Sequence, residues 1–153
     1  MSTDPYVRLS ELGLTLPAAA VPQAAYVPAV QTGNHVYVSG QIPIADGKIL
    51  ATGKVGADVT PELAKQLAER CALNVLAAVD GLVGLSRVVR VVKVVGFVAS
   101  APGFTGQPEV INGASELFEA VFGEAGRHAR SAVGVAELPR DVPVEVEAIV
   151  EVR

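Results

Sequence analysis

The chain has 153 residues, a length typical of one domain. Half of the residues are hydrophobic, 18% are charged, and the net charge at pH 7 is -4. No cluster of Lys and Arg interleaved with aromatic residues accompanies this acidic balance, which argues against a general nucleic-acid-binding protein. The mean hydropathy of +0.42 is apolar for a soluble domain of this size, so we expect part of the surface to be covered by other copies of the chain.

The sequence also lacks the usual signals for membranes and secretion. Its longest apolar run, from Val88 to Val98, is too short to span a bilayer and contains Arg90 and Lys93. The apolar patch from Leu12 to Val21 is preceded by the acidic residues Asp4 and Glu11, so it does not resemble a signal peptide. The single cysteine, Cys71, cannot form a disulfide within the chain. We therefore expect a cytoplasmic protein.

After a loose N-terminal segment, the first predicted strand runs from His35 to Ser39. A turn signal at Thr32 to Asn34 precedes this strand, and Gly40 is expected to end or bend it. A second turn signal, Asp46-Gly47, predicts another short strand near Ile49. The first part of the domain should therefore consist of short antiparallel strands.

Two amphipathic helices are predicted further along the chain. Thr60 is a suitable N-cap, Pro61 fits the first helical position, and this helix should end near Asp80-Gly81. Its apolar residues recur at spacings of three and four, so that one stripe faces a core. The segment from Pro108 to Phe122 repeats the pattern, and Gly123 should stop it.

The predicted strands of the second half decide the fold class. The run from Val88 to Val98 is nearly continuous valine and predicts a strand buried on both faces. In the last strand, from Val144 to Val152, apolar residues alternate with Glu145 and Glu147. We predict an α+β fold in which both helices pack on one face of a mixed sheet. Since two helices cannot cover both faces, the second face is expected to meet another subunit.

The acidic residues of the last strand have two interpretations. If water covers the face that carries Glu145 and Glu147, these side chains are ordinary surface carboxylates. If other protein covers that face, a buried carboxylate has to pair with a cation or bind a ligand. Arg130, at the start of another predicted strand, is the available counterpart.

Five segments, in this order and between elements of the right kind, resemble the Rid family, which is also called the YjgF or L-PSP endoribonuclease-like family. The resemblance covers roughly residues 20–153 as a single domain and leaves residues 1–19 as an N-terminal extension. The segments are Ala25-Tyr26-Val27, Val38-Ser39-Gly40-Gln41-Ile42-Pro43, Val110-Ile111-Asn112-Gly113-Ala114, Ala129-Arg130-Ser131 with Leu138-Pro139, and Val144-Glu145-Val146-Glu147-Ala148-Ile149.

This resemblance implies a chorismate-mutase-like subunit that assembles as a homotrimer, with pockets at the subunit interfaces. Characterised members are enamine/imine deaminases that hydrolyse reactive 2-imino acids to 2-keto acids and ammonia, so the same activity is expected here. It implies neither a metal nor a cofactor. The expected partners are copies of the chain and a small carboxylate or imino-acid substrate, with no membrane and no nucleic acid.

By the same resemblance, Arg130 and Glu145 are the expected catalytic residues. Arg130 would hold the carboxylate of the substrate, since a guanidinium offers two parallel donors and stays protonated. Glu145 would position or activate the attacking water. An iminium carbon is already electrophilic, so the protein mainly has to orient water and move protons.

Four further positions are expected to bind substrate. Tyr26 would line the pocket, backbone groups near Gly40 would donate hydrogen bonds, and the backbone of Ala132 would contact the ligand. Asn112 matches a polar pocket residue, although a polar residue in the first turn of a helix needs no such role. The Ala-Ala pair before Tyr26 and the long loop from Ser100 to Gln107 depart from the family pattern and indicate a divergent subgroup with a reshaped pocket.

The remaining candidate residues have simpler explanations than chemistry. His35 and His128 lie far apart and have no Cys or His neighbours at ligand spacing, so turn or surface roles are favoured over metal binding. Cys71 lies on the apolar stripe of the first predicted helix and is expected to be a core residue.

The sequence leaves two functions other than deamination open. The chain could bind a small carboxylate metabolite in the same pocket without catalysis. Some relatives are described as endoribonucleases or translation inhibitors, and the acidic charge balance makes that activity the less attractive of the two.

Overall fold

A computed structural model describes residues 3–19 and 24–153. These ranges contain three α-helices and seven β-strands, and a 3-10 turn at Gly123–Gly126 connects the third helix to the sixth strand. In chain order the elements are α1 (Pro5–Glu11), β1 (Ala29–Thr32), β2 (His35–Gln41), β3 (Ile44–Ala45), β4 (Lys48–Ile49), α2 (Pro61–Leu82), β5 (Val88–Ala99), α3 (Gln107–Phe122), β6 (Ala129–Val135) and β7 (Val144–Val152).

Five of the strands form one mixed sheet in the order β1-β2-β7-β5-β6. β5 and β6 run parallel, whereas the other neighbouring strands of this sheet are antiparallel. β3 and β4 form a separate small hairpin. α2 and α3 pack against each other and against the sheet. The predicted α+β fold with a mixed sheet is therefore confirmed. None of the described helices is long and apolar enough to cross a membrane.

The local signals for the two long helices act as predicted. The hydroxyl of Thr60 accepts a hydrogen bond from the Leu63 N–H at 3.1 Å, which caps the start of α2. α3 stops at Gly123, whose φ of 64° is the left-handed conformation that glycine adopts without strain. Gly40 bends β2 rather than ending it, since the pairing of β2 with β7 shifts register just there.

The two faces of the sheet differ in what covers them. Residues of β7 alternate strictly between buried and half-buried, with the valines under the helices and the glutamates on the other face. On that other face Val30, Tyr37 and Val133 are 51%, 46% and 42% exposed. The prediction that β5 is buried on both faces does not hold for the single chain, because only its helix-covered face is fully buried.

Within the N-terminal segment, Pro5–Glu11 form the helix α1, which corrects the expectation of a loose segment for these residues. Asp4 caps α1 by accepting from the Tyr6 N–H at 2.8 Å, and the Tyr6 hydroxyl donates to the Asp80 carboxylate of α2 at 2.5 Å. The guanidinium of Arg8 donates to the Ala120 carbonyl in the last turns of α3, where a cation complements the helix dipole. Leu9 is only 4% exposed. The helix is thus fastened to both α2 and α3.

Candidate functional site

Arg130 lies near the start of the edge strand β6 and reaches α3. It pairs with the fully buried Val94 of β5, and directly paired residues share a face, so its side chain is on the helix-covered side of the sheet. Its Nη1 donates to Asn112 Oδ1 at 2.8 Å and to Ser115 Oγ at 3.2 Å. Asn112 and Ser115 are three residues apart and therefore present their side chains on one side of the helix.

These two hydrogen bonds hold the guanidinium by a single nitrogen. Within the described part of the chain, Nε and Nη2 of Arg130 donate to no protein acceptor. Nε and Nη2 form one edge of the planar group, with two parallel N–H bonds that match the two oxygens of a carboxylate. Arg130 is therefore oriented by the protein and still has a bidentate edge to offer.

His128 contacts Ser115, so that Asn112, Ser115, His128 and Arg130 form one hydrogen-bond network. Ser115 Oγ lies 2.9 Å from His128 Nε2, and His128 Nδ1 lies 2.6 Å from the Gly126 carbonyl. A carbonyl can only accept, so Nδ1 carries a hydrogen and the neutral ring presents a lone pair at Nε2 to the serine hydroxyl. Burial lowers the pKa of His128, and the charge of Arg130 acts in the same direction.

A shallow depression of about 200 Å³ opens beside this network. Its lining consists of Ser115, Glu119, Arg127, His128 and Arg130. Arg127 is exposed and forms an ion pair with Glu124 at 3.5 Å, as expected of a surface arginine after a helix. The two arginine side chains give the depression a positive lining apart from Glu119, and His128 contributes a neutral ring.

Glu145 lies on the sheet face that the helices do not cover. Its carboxylate is half-buried, and no hydrogen bond or ion pair joins it to the described residues. Burial raises the pKa of Glu145, and the neighbouring negative charge of Glu147 raises it further. A carboxylate left half-desolvated without a partner is destabilised in its charged form, which is typical of groups that serve chemistry or an interface.

Gly40 lies on the same side of the sheet as Glu145, and Tyr26 lies in the loop that precedes β1. A Cβ on Gly40 would come within 2.8 Å of the Glu145 carboxyl carbon, so the bend in β2 brings the backbone against this side chain. Ser39 makes two hydrogen bonds to the loop that precedes β1. Its N–H donates to the Pro28 carbonyl at 2.8 Å, and its hydroxyl donates to the Val27 carbonyl at 2.6 Å. Tyr26 in this loop is 59% exposed.

Strand register separates the two groups of residues within one chain. Phe97 of β5 pairs with both Glu145 and Val133, so these three share the uncovered face. Arg130 and Ala132 have the opposite parity in β6 and lie on the helix-covered face. One chain therefore brings Arg130, Asn112 and Ala132 together at the sheet edge, and Gly40 and Glu145 together on the other face, but it does not bring Arg130 to Glu145.

Metal-ligating chemistry has no support among residues 3–19 and 24–153, where no cluster of three or more His, Cys, Asp or Glu side chains could hold a metal ion. Cys71 is completely buried, and this burial raises the pKa of its thiol well above the usual value. It is the core residue that the helical stripe predicts.

Sequence reasoning missed two members of the Arg130 network, Ser115 and His128. The spacing from Asn112 to Ser115 places both on one side of α3, and His128 lies two residues before Arg130 on the segment that enters β6. These spacings could have indicated a shared cluster. The sequence favoured a turn or surface role for His128 over metal binding; the residue is half-buried in the segment between the 3-10 turn and β6 and contacts Ser115.

Comparison with known proteins supplies the family. The family model described as Endoribonuclease L-PSP matches residues 17–152 of this chain. The chain belongs to this family. Membership in the Rid or YjgF family, predicted from the five sequence segments, is thereby confirmed.

Family members of known sequence include proteins with different names. Protein TCP17 of Trypanosoma cruzi is 50% identical over 145 residues, which cover 94% of this chain and 91% of that protein. The 2-iminobutanoate/2-iminopropanoate deaminase of Escherichia coli strain K12 is 39% identical over 135 residues, which cover 87% of this chain and 89% of the deaminase.

Among solved structures, this chain is similar to the crystal structure of the protein Atu1372 from Agrobacterium tumefaciens, which is described as a protein of unknown function. It is 52% identical, with a TM-score of 0.91 over 97% of this chain and 92% of that protein. The fold described above is therefore shared by a relative whose structure was solved by crystallography.

Proposed function

We propose that this protein is an enamine/imine deaminase that hydrolyses 2-imino acids to 2-keto acids and ammonia. The observation that carries the proposal is the guanidinium of Arg130, fixed through Nη1 by Asn112 and Ser115 and open along its Nε–Nη2 edge. A 2-imino acid carries its carboxylate next to the reacting carbon, so a bidentate anchor also sets the position of the C=N bond. The name of the Escherichia coli relative supports the same reaction.

We propose further that the site is completed between subunits of a homotrimer with a chorismate-mutase-like assembly. Two observations support an interfacial site. Arg130 and Glu145 lie on opposite faces of the sheet in one chain, and the face that carries Glu145 also exposes Val30, Tyr37 and Val133. A second copy that covers this face would bury those apolar side chains and bring its own Arg130 to Glu145.

Glu145 would carry the proton transfers of the reaction. As a carboxylate it accepts a proton from water while the water oxygen bonds to the iminium carbon, which forms a tetrahedral carbinolamine. It then returns the proton to the amino nitrogen. As the C–N bond breaks and ammonia leaves, the carboxylate accepts the hydroxyl proton, so that the C=O bond of the 2-keto acid forms. This proton is finally passed to ammonia, which leaves as ammonium. The raised pKa of Glu145 makes it a stronger base than an ordinary carboxylate, which favours the first of these steps.

The test is a coupled assay of 2-iminopropanoate and 2-iminobutanoate hydrolysis, with both substrates generated in situ. We expect the wild type to accelerate hydrolysis and Arg130→Gln to lose about 100-fold or more in kcat/KM, since it removes a charge-assisted bidentate contact. Arg127→Gln is the matched control, because it removes an arginine from the same depression without touching Asn112 or Ser115. Equal losses in both variants would contradict the assigned anchor.

A second candidate function, carboxylate binding without catalysis, rests on the same open edge of Arg130. It predicts that pyruvate or 2-oxobutanoate raises the melting temperature of the wild type but not of Arg130→Gln, while imine hydrolysis stays at the uncatalysed rate. Acceleration of hydrolysis by the wild type would exclude this alternative.

A further inference from the structure

We propose that His128, acting through Ser115, is a positioning residue that holds Arg130 in its carboxylate-binding orientation. The inference deepens the proposed function and rests on Arg130 being the carboxylate anchor. It concerns two side chains that take no part in the reaction itself. Their role would be to present the Nε–Nη2 edge of Arg130 at a fixed angle.

The directions of the hydrogen bonds form a single relay. The Gly126 carbonyl accepts from His128 Nδ1 at 2.6 Å, which fixes the tautomer of the neutral ring. The lone pair at Nε2 then accepts the Ser115 hydroxyl hydrogen across 2.9 Å. With its hydrogen directed to His128, Ser115 Oγ turns a lone pair to Arg130 Nη1 at 3.2 Å. Each group in the relay thus determines the donor or acceptor role of the next.

Packing keeps the imidazole from rotating out of this relay. The ring of Phe118 meets the ring of His128 edge-on, with centroids 5.8 Å apart and an interplanar angle of 89°. Phe118 itself is fully buried in the core. Since α3 carries both Phe118 and Ser115, one helix fixes the ring and supplies the serine that connects it to Arg130.

The charges around His128 favour its neutral form. Arg130 from β6 repels a proton on the ring, whereas Glu119 from α3 attracts one. Arg127 borders the same depression from the neighbouring position of the chain, and Arg90 of β5 donates to the Arg127 carbonyl. The net effect of burial and these charges is a pKa below the usual 6.5, so the ring is neutral at pH 7 and can accept from Ser115.

Coupling of this kind is reciprocal. A carboxylate bound to Arg130 offsets the positive charge that disfavours protonation of His128, so binding should raise the pKa of His128. A histidine that does not sense the charge of Arg130 would not respond to a ligand on Arg130, and the variants at Ser115 and His128 then separate a hydrogen-bonded relay from proximity alone. The chain has only two histidines, so the ring signals of His35 and His128 can be followed separately by NMR.

The first arm of the test is NMR titration of His128. We expect its pKa to lie below 6.5 in the wild type, to rise in Arg130→Gln, and to rise in the wild type on addition of 2-oxobutanoate. An unchanged His128 titration in Arg130→Gln would overturn the relay, whether or not the protein hydrolyses imines. An intact response of His128 in a protein without deaminase activity would instead overturn the proposed reaction and leave the relay standing.

The second arm is a set of variants that keep or remove the acceptor for Ser115. His128→Leu and Ser115→Ala should raise the KM for 2-iminobutanoate about tenfold with kcat nearly unchanged, since each removes a hydrogen bond that orients a charged group. His128→Gln should restore KM, because its side-chain oxygen can accept from Ser115 near the position of Nε2. If His128→Leu matched the wild type in KM, or if His128→Gln failed as His128→Leu does while folding normally, the positioning role would be wrong.

Discussion

Arg130 and Glu145 are held in opposite ways. Arg130 has two hydrogen-bond partners on α3 and a third group, His128, behind one of them. Glu145 has no polar partner among the described residues, although its carboxylate is half-buried. The cation is therefore pre-oriented by its own chain, whereas the carboxylate is left in an environment that disfavours its charge.

This difference shows what each residue still requires. An oriented guanidinium needs only a ligand to use its free edge, so it can be complete within one subunit. A carboxylate with a raised pKa and no partner needs a donor from elsewhere, which a second subunit, a substrate or water can supply. Such an arrangement lowers the stability of the isolated chain and supports proton transfer, the usual relation between stability and activity at a site.

Of the substitutions that test the difference between Arg130 and Glu145, removal of the charge at Glu145 is expected to have the largest effect on activity. Glu145→Gln should lower kcat by about 10²–10⁴, the range that general acid–base groups contribute. The same variant should melt at a higher temperature than the wild type at pH 7, because a desolvated charge is gone. The coupled assay and calorimetry measure the two effects. A lower melting temperature with full activity would contradict both roles.

A smaller effect on kcat is expected when the Glu145 carboxylate is displaced by a new side chain rather than removed. In Gly40→Ala the new Cβ would lie 2.8 Å from the Glu145 carboxyl carbon, and the flexible glutamate would have to move away. We expect a loss of about 10- to 100-fold in kcat, with little change in melting temperature because the backbone of Gly40 does not need a positive φ. Gly81→Ala, at the far end of α2, is the control and should be fully active.

A still smaller effect is expected when one of the two hydrogen-bond acceptors that orient Arg130 is removed. Asn112→Ala leaves Ser115 to hold Nη1, so KM should rise about tenfold while kcat changes little. Glu116→Ala, on the same helix but paired with Lys65 at the surface, should leave KM unaltered. Asn112 is the sixth residue of α3 and therefore lies beyond the first turn that the sequence suggested, so equal kinetics of Asn112→Ala and wild type would contradict a role for Asn112 in orienting Arg130.

The smallest expected effect concerns pH. Since the pKa of Glu145 is raised in the folded state, its contribution to stability is fully present below the unfolded pKa of about 4.5 and is lost as the pH rises through the folded value. The gain in melting temperature of Glu145→Gln should therefore be seen at pH 7 and vanish near pH 4. A gain that is independent of pH would mean that the carboxylate is not desolvated.

The sequence predicted the helices and strands well because their signals are local. Thr60, Pro61 and Gly123 act through their immediate neighbours, and the alternation in β7 follows from the geometry of a strand. The N-terminal helix was missed since its stability comes from contacts with α2 and α3, far away in the sequence.

The candidate site was predictable only in part. Five segments indicated Arg130, Asn112 and Glu145, but not that strand register places Arg130 and Glu145 on opposite faces of the sheet. That separation depends on which strands are neighbours, and β7 is inserted between β2 and β5 by topology rather than by any local pattern. Ser115 and His128 were missed for the same reason, because their partner lies on another element.

Subunit mixing tests the central claim, that Arg130 of one copy works with Glu145 of another. Arg130→Gln and Glu145→Gln are each expected to be inactive alone, and equal amounts of the two would be unfolded, combined and refolded together. In a symmetric trimer with random assembly, about one quarter of the interfaces would join an intact arginine to an intact glutamate, so about a quarter of wild-type activity should return. Activity that stayed at the level of the separate variants, in refolded and properly assembled protein, would contradict a site shared between subunits.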